Sequence, residues 1–357
     1  MENNSKRRKT REITIGSRRI GSDNPVLVQS MTKNKLSQIG LLKEEIKALT
    51  DSGCEVIRIA LTDKNSVCHM DSLIKEGFFK EVPLVADVQF DFELALLALK
   101  AGAHCVRINP GNIGGLDKTG LIIKRAKETG SCIRIGVNSG SIDKRILRES
   151  GNNYLKAMIE STLEYVRFFE NAGFYNFKIS AKASSVTDTI HVYKTLSEKV
   201  NYPLHLGITE AGSKFAGSIK SAVGLGILLY EGIGDTIRVS LTDSSVDEVK
   251  AGYYILNSLG LRQFGVNIIS CPTCGRTRVD LKNIAGEIER ITDKIAKPLK
   301  IAVMGCVVNG PGEAREADIG IAFAVKKAAI FVKGKILKSV DVKDVVFEFK
   351  HELEKLI

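Results

Sequence analysis

Between residues 26 and 261 the chain repeats one pattern, in which an amphipathic helix is followed by a glycine and a short apolar strand. The strand copies read SGCEVIRI, AGAHCVRI, TGSCIRIG and AGFYNFKI, and GDTIRVSL is close to them. Before the first copy, Leu42, Ile46 and Leu49 recur at the three- to four-residue spacing of a helix. Glycines stand where the helices need a left-handed cap: Gly53, Gly102, Gly130 and Gly173.

Further strands are predicted at Val26–Met31, Leu84–Val88 and Leu204–Ile208, which brings the total to eight. Eight strands that alternate with helices over roughly 240 residues predict a parallel (β/α)₈ TIM-type barrel at residues 26–262. A doubly wound open sheet is the alternative, but no G-x-G-x-x-G motif follows the first strand.

Residues 1–25 are predicted to be a basic arm that leads into this barrel. Within residues 1–19, seven Lys and Arg stand against two Glu, and the whole chain has a net charge of +11. We interpret this as a solvated, mobile arm, because aromatic residues are few and Trp is absent, unlike in a base-stacking surface. No segment approaches the ~20 apolar residues of a membrane span, and no apolar signal segment follows the basic start. We therefore expect a cytoplasmic protein with no nucleic-acid and no membrane partner.

Five cations follow a glycine by four or five residues, each within an apolar strand: Arg58, Arg107, Arg134, Lys178 and Arg238. Side chains alternate between the faces of a strand, so Arg58 points into the barrel if Ile57 and Ile59 face the helices. One or two such cations can pair with Asp87, but five exceed what structural pairing needs, because an unpaired buried charge is costly. They predict a small, multiply charged anion as ligand, most simply a phosphate or diphosphate ester.

The same strand faces continue toward the carboxyl ends with side chains suited to phosphate oxygens: Asn109, Asn138, Lys182 and Ser240. Active sites of TIM-type barrels lie at that end. Glu210 follows the predicted strand that contains His205. It is either a helix N-terminal glutamate stabilised by the helix dipole or an acid–base group at the cationic mouth.

A different, α+β module is predicted at residues 263–357, where two strand ends carry cysteines. The motif CPTC places Cys271 and Cys274 after the strand VNIIS, and GCVVNGPGE places Cys306 after LKIAVMG. The nearest fourth donor is Glu313, beyond a turn rich in glycine and proline. Three thiolates and a carboxylate favour an iron–sulfur cluster over structural zinc, and a redox dithiol at CPTC is a further alternative.

The other four cysteines receive no chemical role. Cys54, Cys105 and Cys132 stand at the starts of predicted barrel strands, where a small buried hydrophobe fits, and Cys68 is incidental. Seven cysteines, an odd number, in a reducing compartment argue against a disulfide framework.

Seven long motifs, in one order over nearly the whole chain, resemble the 4-hydroxy-3-methylbut-2-enyl diphosphate synthase family (IspG/GcpE). They are VQSMT at Val28–Thr32, RINPGNIG at Arg107–Gly114, IRIGVNSGS at Ile133–Ser141, PLHLGITEAG at Pro203–Gly212, GIGDTIRVSL at Gly232–Leu241, CPTCGR at Cys271–Arg276 and GCVVNGPGEA at Gly305–Ala314. No further domain stands between the predicted barrel and the cysteine module, so the chain is similar to the short bacterial form of the family.

The resemblance implies an oxidoreductase of the non-mevalonate isoprenoid pathway, which opens and reductively dehydroxylates 2-C-methyl-D-erythritol 2,4-cyclodiphosphate to (E)-4-hydroxy-3-methylbut-2-enyl diphosphate. It implies a [4Fe–4S] cluster held by Cys271, Cys274, Cys306 and Glu313, with reduced flavodoxin or ferredoxin as electron donor. It also implies a homodimer in which the cluster of one subunit closes over the barrel of the other. Glu210 and Glu313 are then the expected catalytic residues, with Glu210 as proton donor. The expected substrate-binding residues are Arg58, Arg107, Asn109, Arg134, Asn138, Lys182, Arg238 and Ser240.

Two positions depart from the pattern of that family. Asp87-Val88-Gln89 stands where the family has Asp-Ile-His, and IAFAVKK replaces a glycine-rich run after Gly320. Two other functions are kept as alternatives. One is a basic, zinc-stabilised binding module on a barrel scaffold, and the other is a pterin or phosphate-ester transferase whose cysteine domain is only structural.

Overall fold

The computed structural model describes residues 7–138, 140, 142–209, 212–277, 279–306, 316–324 and 326–357. The chain divides into two compact units, one that ends at Arg262 and one that spans Gln263–Ile357. Each unit buries apolar clusters of its own.

The N-terminal segment is packed from Arg7 onward. Strands β1 (Ile13–Ile15) and β2 (Arg18–Ile20) form an antiparallel hairpin, and its isoleucine side chains are buried against the first residues of strands in the barrel. Arg7 forms an ion pair of 2.8 Å with the buried Asp235. The expectation of a mobile arm is therefore wrong for these residues, because alternating isoleucines give the hairpin one apolar face.

The eight predicted strands form one parallel sheet. They are β3 (Leu27–Met31), β4 (Val56–Ala60), β5 (Leu84–Asp87), β6 (Cys105–Ile108), β7 (Cys132–Asn138), β8 (Phe177–Lys182), β9 (His205–Leu206) and β10 (Thr236–Ile237). Their hydrogen-bonded order is β8-β7-β6-β5-β4-β3-β10-β9, and a bridge between Ile179 and Leu204 joins the two ends of the sheet. This arrangement confirms the predicted TIM-type barrel, although β9 and β10 are shorter than their sequence patterns indicated.

Helices follow the barrel strands in turn. They are α1 (Ile39–Asp51), α2 (Lys64–Lys75), α3 (Phe92–Lys100), α4 (Gly115–Thr129), α5 (Lys144–Glu149), α6 (Tyr154–Asn171), α7 (Val186–Lys199), α8 (Lys214–Tyr230) and α9 (Ser245–Ser258). The four predicted cap glycines all have positive φ, between 61° and 98°. Cys54, Cys105 and Cys132 are buried, as expected of structural residues. Within the described residues, no helix has both the length and the apolar character that a membrane span needs.

Among its described residues, the second unit has a five-stranded mixed sheet and two α-helices. Its strands are β11 (Val266–Ser270), β12 (Leu299–Met304), β13 (Ile319–Phe323), β14 (Lys327–Val332) and β15 (Lys335–Asp341), and its helices are α10 (Leu281–Thr292) and α11 (Val345–Glu354). The strands pair in chain order, β11 to β13 parallel and β13 to β15 antiparallel. Ile288 of α10 and Phe349 of α11 share one core cluster with Phe323 of the sheet. The predicted α+β class is present. Most residues of β15 are exposed and show no clear apolar alternation, so the sequence pattern does not indicate a strand there.

Candidate active site

A layer of basic side chains crosses the barrel interior. Arg107 on β6 lies opposite Arg134 on β7, and Arg134 lies opposite Lys178 on β8. Arg58 lies on β4, which is separated from β6 by β5 on the side away from β7. All four residues are at most 8% exposed. The structure thus brings together cations that strand alternation had assigned to the interior.

Asp87, the last residue of β5, is shared by two of these cations. Its Oδ1 accepts a hydrogen bond of 3.2 Å from Arg107 Nη1, and its Oδ2 lies 3.8 Å from Arg58 Nε. Gln89 Nε2 donates to the same Oδ1 at 3.1 Å. Burial by itself raises the pKa of Asp87, but Arg58 and Arg107 outweigh burial and lower that pKa below its ordinary value. Asp87 is therefore an ionised group that positions two guanidinium groups.

Arg238 has a carboxylate neighbour that the sequence did not reveal. Its Nη2 lies 3.4 Å from Oε2 of Glu248, a residue of α9 that is 1% exposed. The Glu248 carboxylate also accepts hydrogen bonds from Ser30 Oγ at 2.9 Å and from the backbone N–H of Leu241 at 3.0 Å. Sequence reasoning missed Glu248 because the helix dipole alone favours glutamate in a first helical turn.

Arg134 is the most deeply buried arginine of the layer, at 2% exposure. In the part of the chain that the structure describes, its Nε and Nη1 have no hydrogen-bond partner. Burial lowers the pKa of Arg134 to about 10, with a further contribution from Arg107. Burial likewise lowers the pKa of Lys178 to about 8 and the pKa of Lys182 well below its ordinary value. Such an interior has an excess of positive charge and suits an anionic ligand.

Four more predicted site residues lie at or beyond the carboxyl ends of barrel strands: Asn109, Asn138, Lys182 and Ser240. Asn138 and Lys182 are paired as the last residues of β7 and β8. Asn109 is 1% exposed, and its Oδ1 accepts a hydrogen bond of 3.2 Å from the backbone N–H of Gly111. Its Nδ2 has no partner among the described residues, so Asn109 has a buried donor available to a ligand.

Gly136 on β7 makes room for a cation of the neighbouring strand. A Cβ atom at this position would lie 2.6 Å from Arg107 Nε, which is closer than unbonded atoms approach. A glycine at this point of the IRIGVNSGS motif therefore lets the Arg107 side chain cross the face of β7.

Thr236 on β10 joins two further buried groups that sequence reasoning did not connect. Its Oγ1 accepts a hydrogen bond of 3.3 Å from Lys178 Nζ and lies 2.8 Å from His205 Nδ1. Burial, together with the nearby Arg134 and Lys178, lowers the pKa of His205 well below its ordinary value, so this imidazole is neutral. Glu210, the predicted acid–base residue, lies outside the described residues.

In the second unit, two of the predicted cluster ligands follow neighbouring parallel strands. Cys271 directly follows β11, and its backbone N–H donates at 3.0 Å to β12, which leads to Cys306. Cys274 is exposed, and its carbonyl accepts a hydrogen bond of 2.9 Å from the N–H of Thr277. A Cβ atom at Gly305 would lie 3.2 Å from Thr277 Cγ2, so the CPTC loop packs against the residue next to Cys306.

The chemistry of this donor set fits an iron–sulfur cluster. Cys271 and Cys306 follow the carboxyl ends of the neighbouring strands β11 and β12, and none of the seven cysteines, all of which are described, forms a disulfide. Among the described residues, however, no three His, Cys, Asp or Glu side chains are grouped to hold a metal ion. Glu313, the predicted fourth ligand, lies outside the described residues. The assignment of an iron–sulfur site therefore rests on the chemistry of the three thiols and on the packing of the CPTC loop against Gly305, next to Cys306.

Comparison with known proteins places the chain among TIM-barrel enzymes. Residues 10–253 match the GcpE TIM-barrel domain, and residues 267–355 match the GcpE protein C-terminal domain. A 4-hydroxy-3-methylbut-2-en-1-yl diphosphate synthase (flavodoxin) from Caldanaerobacter subterraneus subsp. tengcongensis is 51% identical over 351 residues, 98% of either chain. A protein of the same name from Ruminiclostridium cellulolyticum is 48% identical over 356 residues, 100% of either chain.

The chain belongs to the GcpE family. The family and the synthase activity predicted from the motifs are thereby confirmed. Wild-type HPPK-DHPS from Plasmodium falciparum, solved with STZ-DHP, has a TM-score of 0.52 at 13% identity and covers 78% of this chain and 54% of its own. That likeness shows the fold alone and lends no support to the alternative of a pterin transferase.

Proposed function

We propose that the barrel binds 2-C-methyl-D-erythritol 2,4-cyclodiphosphate and that the protein opens and reductively dehydroxylates it to (E)-4-hydroxy-3-methylbut-2-enyl diphosphate. The product is the compound for which the full-length relatives are named. The conversion consumes two electrons and two protons and releases one water. It breaks the ring bond between carbon and phosphate oxygen and the neighbouring C–OH bond, and a carbon–carbon double bond forms between the two carbons. The departing hydroxyl takes one proton and leaves as water, and the phosphate oxygen freed from carbon takes the other.

The proposed diphosphate ligands are the barrel cations and the polar groups near them: Arg58, Arg107, Arg134, Lys182, Arg238, Asn109, Asn138 and Ser240. The observation that carries this assignment is Arg134, a guanidinium group with two nitrogens that have no partner among the described residues. A diphosphate would supply the missing acceptors, because planar N–H groups match phosphate oxygens. Asp87 and Glu248 would keep Arg107 and Arg238 oriented toward the ligand.

We further propose that Cys271, Cys274 and Cys306, with Glu313, hold the iron–sulfur cluster that the GcpE family uses, and that it is of the [4Fe–4S] type. Bound there, the cluster would supply electrons one at a time. The three thiolates would hold it, and the carboxylate would occupy the one position without sulfur. Glu210 would donate the proton to the departing hydroxyl, a role supported by its place shortly after the buried His205 in the PLHLGITEAG motif.

Reduced flavodoxin is the proposed electron donor, because the relatives are named for it, and ferredoxin is the second candidate. Both donors, and cysteines that form no disulfide, suit a reducing compartment, which supports a cytoplasmic location.

A homodimer with a shared site is the proposed assembly, and helix α8 supports it. One face of α8 is buried and includes Leu225, Leu228 and Leu229. The opposite face bears an apolar stripe that is 42% to 78% exposed, made of Phe215, Ile219, Val223, Ile227 and Tyr230. A helix that is apolar on both faces is usually buried on both, and a second copy of the chain is the occupant we propose.

The test of the diphosphate site combines turnover with one matched pair of variants. Anaerobically purified wild type is assayed for iron, sulfide and conversion of the cyclodiphosphate with reduced flavodoxin. Arg134→Met should keep iron and sulfide but bind the cyclodiphosphate about 100-fold more weakly, because a charged donor to phosphate is lost. Arg125→Met, on the outer side of the barrel in α4, where the side chain is 40% exposed and pairs with Glu128, should behave as wild type. Equal affinities of Arg134→Met and wild type would remove the cations from this role.

A further inference from the structure

Gln29 is a buried amide that the proposed diphosphate site does not use. It lies in the VQSMT motif, at the centre of β3, and is 0% exposed. Among the described residues, neither its Nε2 nor its Oε1 has a hydrogen-bond partner. An amide with both ends unmatched costs the folded protein free energy that an apolar side chain of the same size would not.

The strand register places Gln29 among the cations. On β4 the register partner of Gln29 is Val56, and the partner of Met31 is Arg58. Alternation puts Gln29 on the same inward face as Met31. On the other side, Val28 pairs with Ile237, so Gln29 stands beside the strand position of Arg238. The neutral Gln29 side chain therefore lies on the inward face beside the position of Arg238, and two residues before the position that pairs with Arg58.

Unlike the cations, an amide can accept a hydrogen bond from a ligand. Lys and Arg side chains only donate hydrogen bonds, whereas the Gln side chain donates through Nε2 and accepts through Oε1. Phosphate oxygens of an ionised diphosphate only accept, so they do not need the Gln acceptor. A hydroxyl group both donates and accepts, and it matches both ends of the amide.

We propose that Gln29 binds a free hydroxyl of the substrate and thereby distinguishes the cyclodiphosphate of a polyol from other diphosphates. This inference rests on the proposed function, in which the substrate carries phosphate on O2 and O4 of methylerythritol. Esterification there leaves the hydroxyls on C1 and C3 free. Gln29 Oε1 accepts the hydrogen of one of these hydroxyls, or Gln29 Nε2 donates to its oxygen, while the cations bind the phosphates.

The experiment compares two ligands on anaerobically purified, cluster-loaded protein by titration calorimetry. The ligands are the cyclodiphosphate and inorganic diphosphate, which has no such hydroxyl. Gln29→Met should raise the Kd for the cyclodiphosphate about tenfold, the loss of one to two neutral hydrogen bonds. It should leave the Kd for inorganic diphosphate within about twofold of wild type. Gln38→Met, the same exchange at an exposed position before α1, is the matched control and should change neither Kd.

Thermal unfolding provides a second readout. Removing an unmatched buried amide should raise the Tm of ligand-free Gln29→Met by about 2–4 °C. The variant would then be more stable than the wild type and would bind the cyclodiphosphate more weakly. Gln29→Leu serves as a second variant with the same expectations.

Each other outcome overturns the inference in a distinguishable way. Unchanged cyclodiphosphate affinity in both Gln29 variants would mean that ordered water, not substrate, satisfies the amide. Equal weakening of both ligands would mean that Gln29 acts through the cations. Failure of the wild type itself to bind the cyclodiphosphate would refute the proposed function, and the inference would fall with it.

Discussion

Replacing Lys178 with Met tests whether the barrel interior really carries an excess of positive charge. Lys178 is 0% exposed, and its Nζ donates one hydrogen bond of 3.3 Å to Thr236 Oγ1. Burial lowers its pKa from the ordinary 10.5 to about 8. Lys178 is not among the proposed substrate ligands, so its charge can be removed without deleting one of them.

The expected effect is a change in how stability depends on pH. Between pH 8 and pH 10.5 the unfolded chain binds the Lys178 proton and the folded chain does not, so the free energy of unfolding rises with pH in this window. The difference from pH 7 reaches roughly 2 kcal/mol at pH 9.5, at 1.36 kcal/mol per pKa unit between 8 and 9.5. Lys178→Met should lack this rise, because the titrating group is gone.

Urea unfolding at pH 7 and pH 9.5, followed by circular dichroism under anaerobic conditions, measures the two slopes. The exposed Lys124 on α4 provides the control, and Lys124→Met should retain the wild-type pH dependence. Other groups titrate in the same range, so the quantity compared is the difference between variant and wild type. Identical pH dependence in wild type and Lys178→Met would refute the buried-charge reasoning.

Three further substitutions test other parts of the proposed mechanism. Glu210→Gln should leave iron content intact and abolish most turnover, since an amide cannot donate the proton; wild-type turnover would remove Glu210 from that role. Cys306→Ser should lose iron and sulfide together in a colorimetric assay, and full retention of both would contradict the ligand assignment. Gly136→Ala would place a Cβ 2.6 Å from Arg107 Nε and should raise KM about tenfold by displacing that guanidinium. Its control is Gly40→Ala, where an added Cβ meets nothing within 4 Å, and a KM equal to that of the control would show that Arg107 is not needed for binding.

A substitution on helix α8 tests the proposed homodimer. Ile219→Asp places a charge in the exposed apolar stripe and should convert a dimer to a monomer in sedimentation experiments. A variant that still sediments as a dimer would exclude this face as the interface.

The interior cations were predictable because a parallel strand has a strict alternation of faces. Once the apolar neighbours of Arg58 were assigned to the helix side, the direction of its side chain followed, and the structure buries it beside Asp87. The N-terminal hairpin was not recognised, because two three-residue strands among many basic residues give only a weak periodic signal.

The side chains that contact the buried cations were harder to predict than the cations themselves. Glu248 contacts Arg238, and Thr236 lies between Lys178 and His205. These contacts join residues of different elements, and no local pattern in the sequence marks which side chains meet across the barrel. Gln29 was visible within a motif, but its unmatched amide became apparent only when its surroundings were known.

The sequence by itself determined the class of fold, the family and the residue types of the chemistry, because periodicity, glycine caps and long motifs are local properties of the chain. The tertiary structure alone decided the balance of charge inside the barrel. Ionisation and hydrogen bonding depend on burial and on neighbours that come from distant strands. That is why Asp87 is ionised between two arginines while Arg134 keeps two nitrogens without a partner among the described residues.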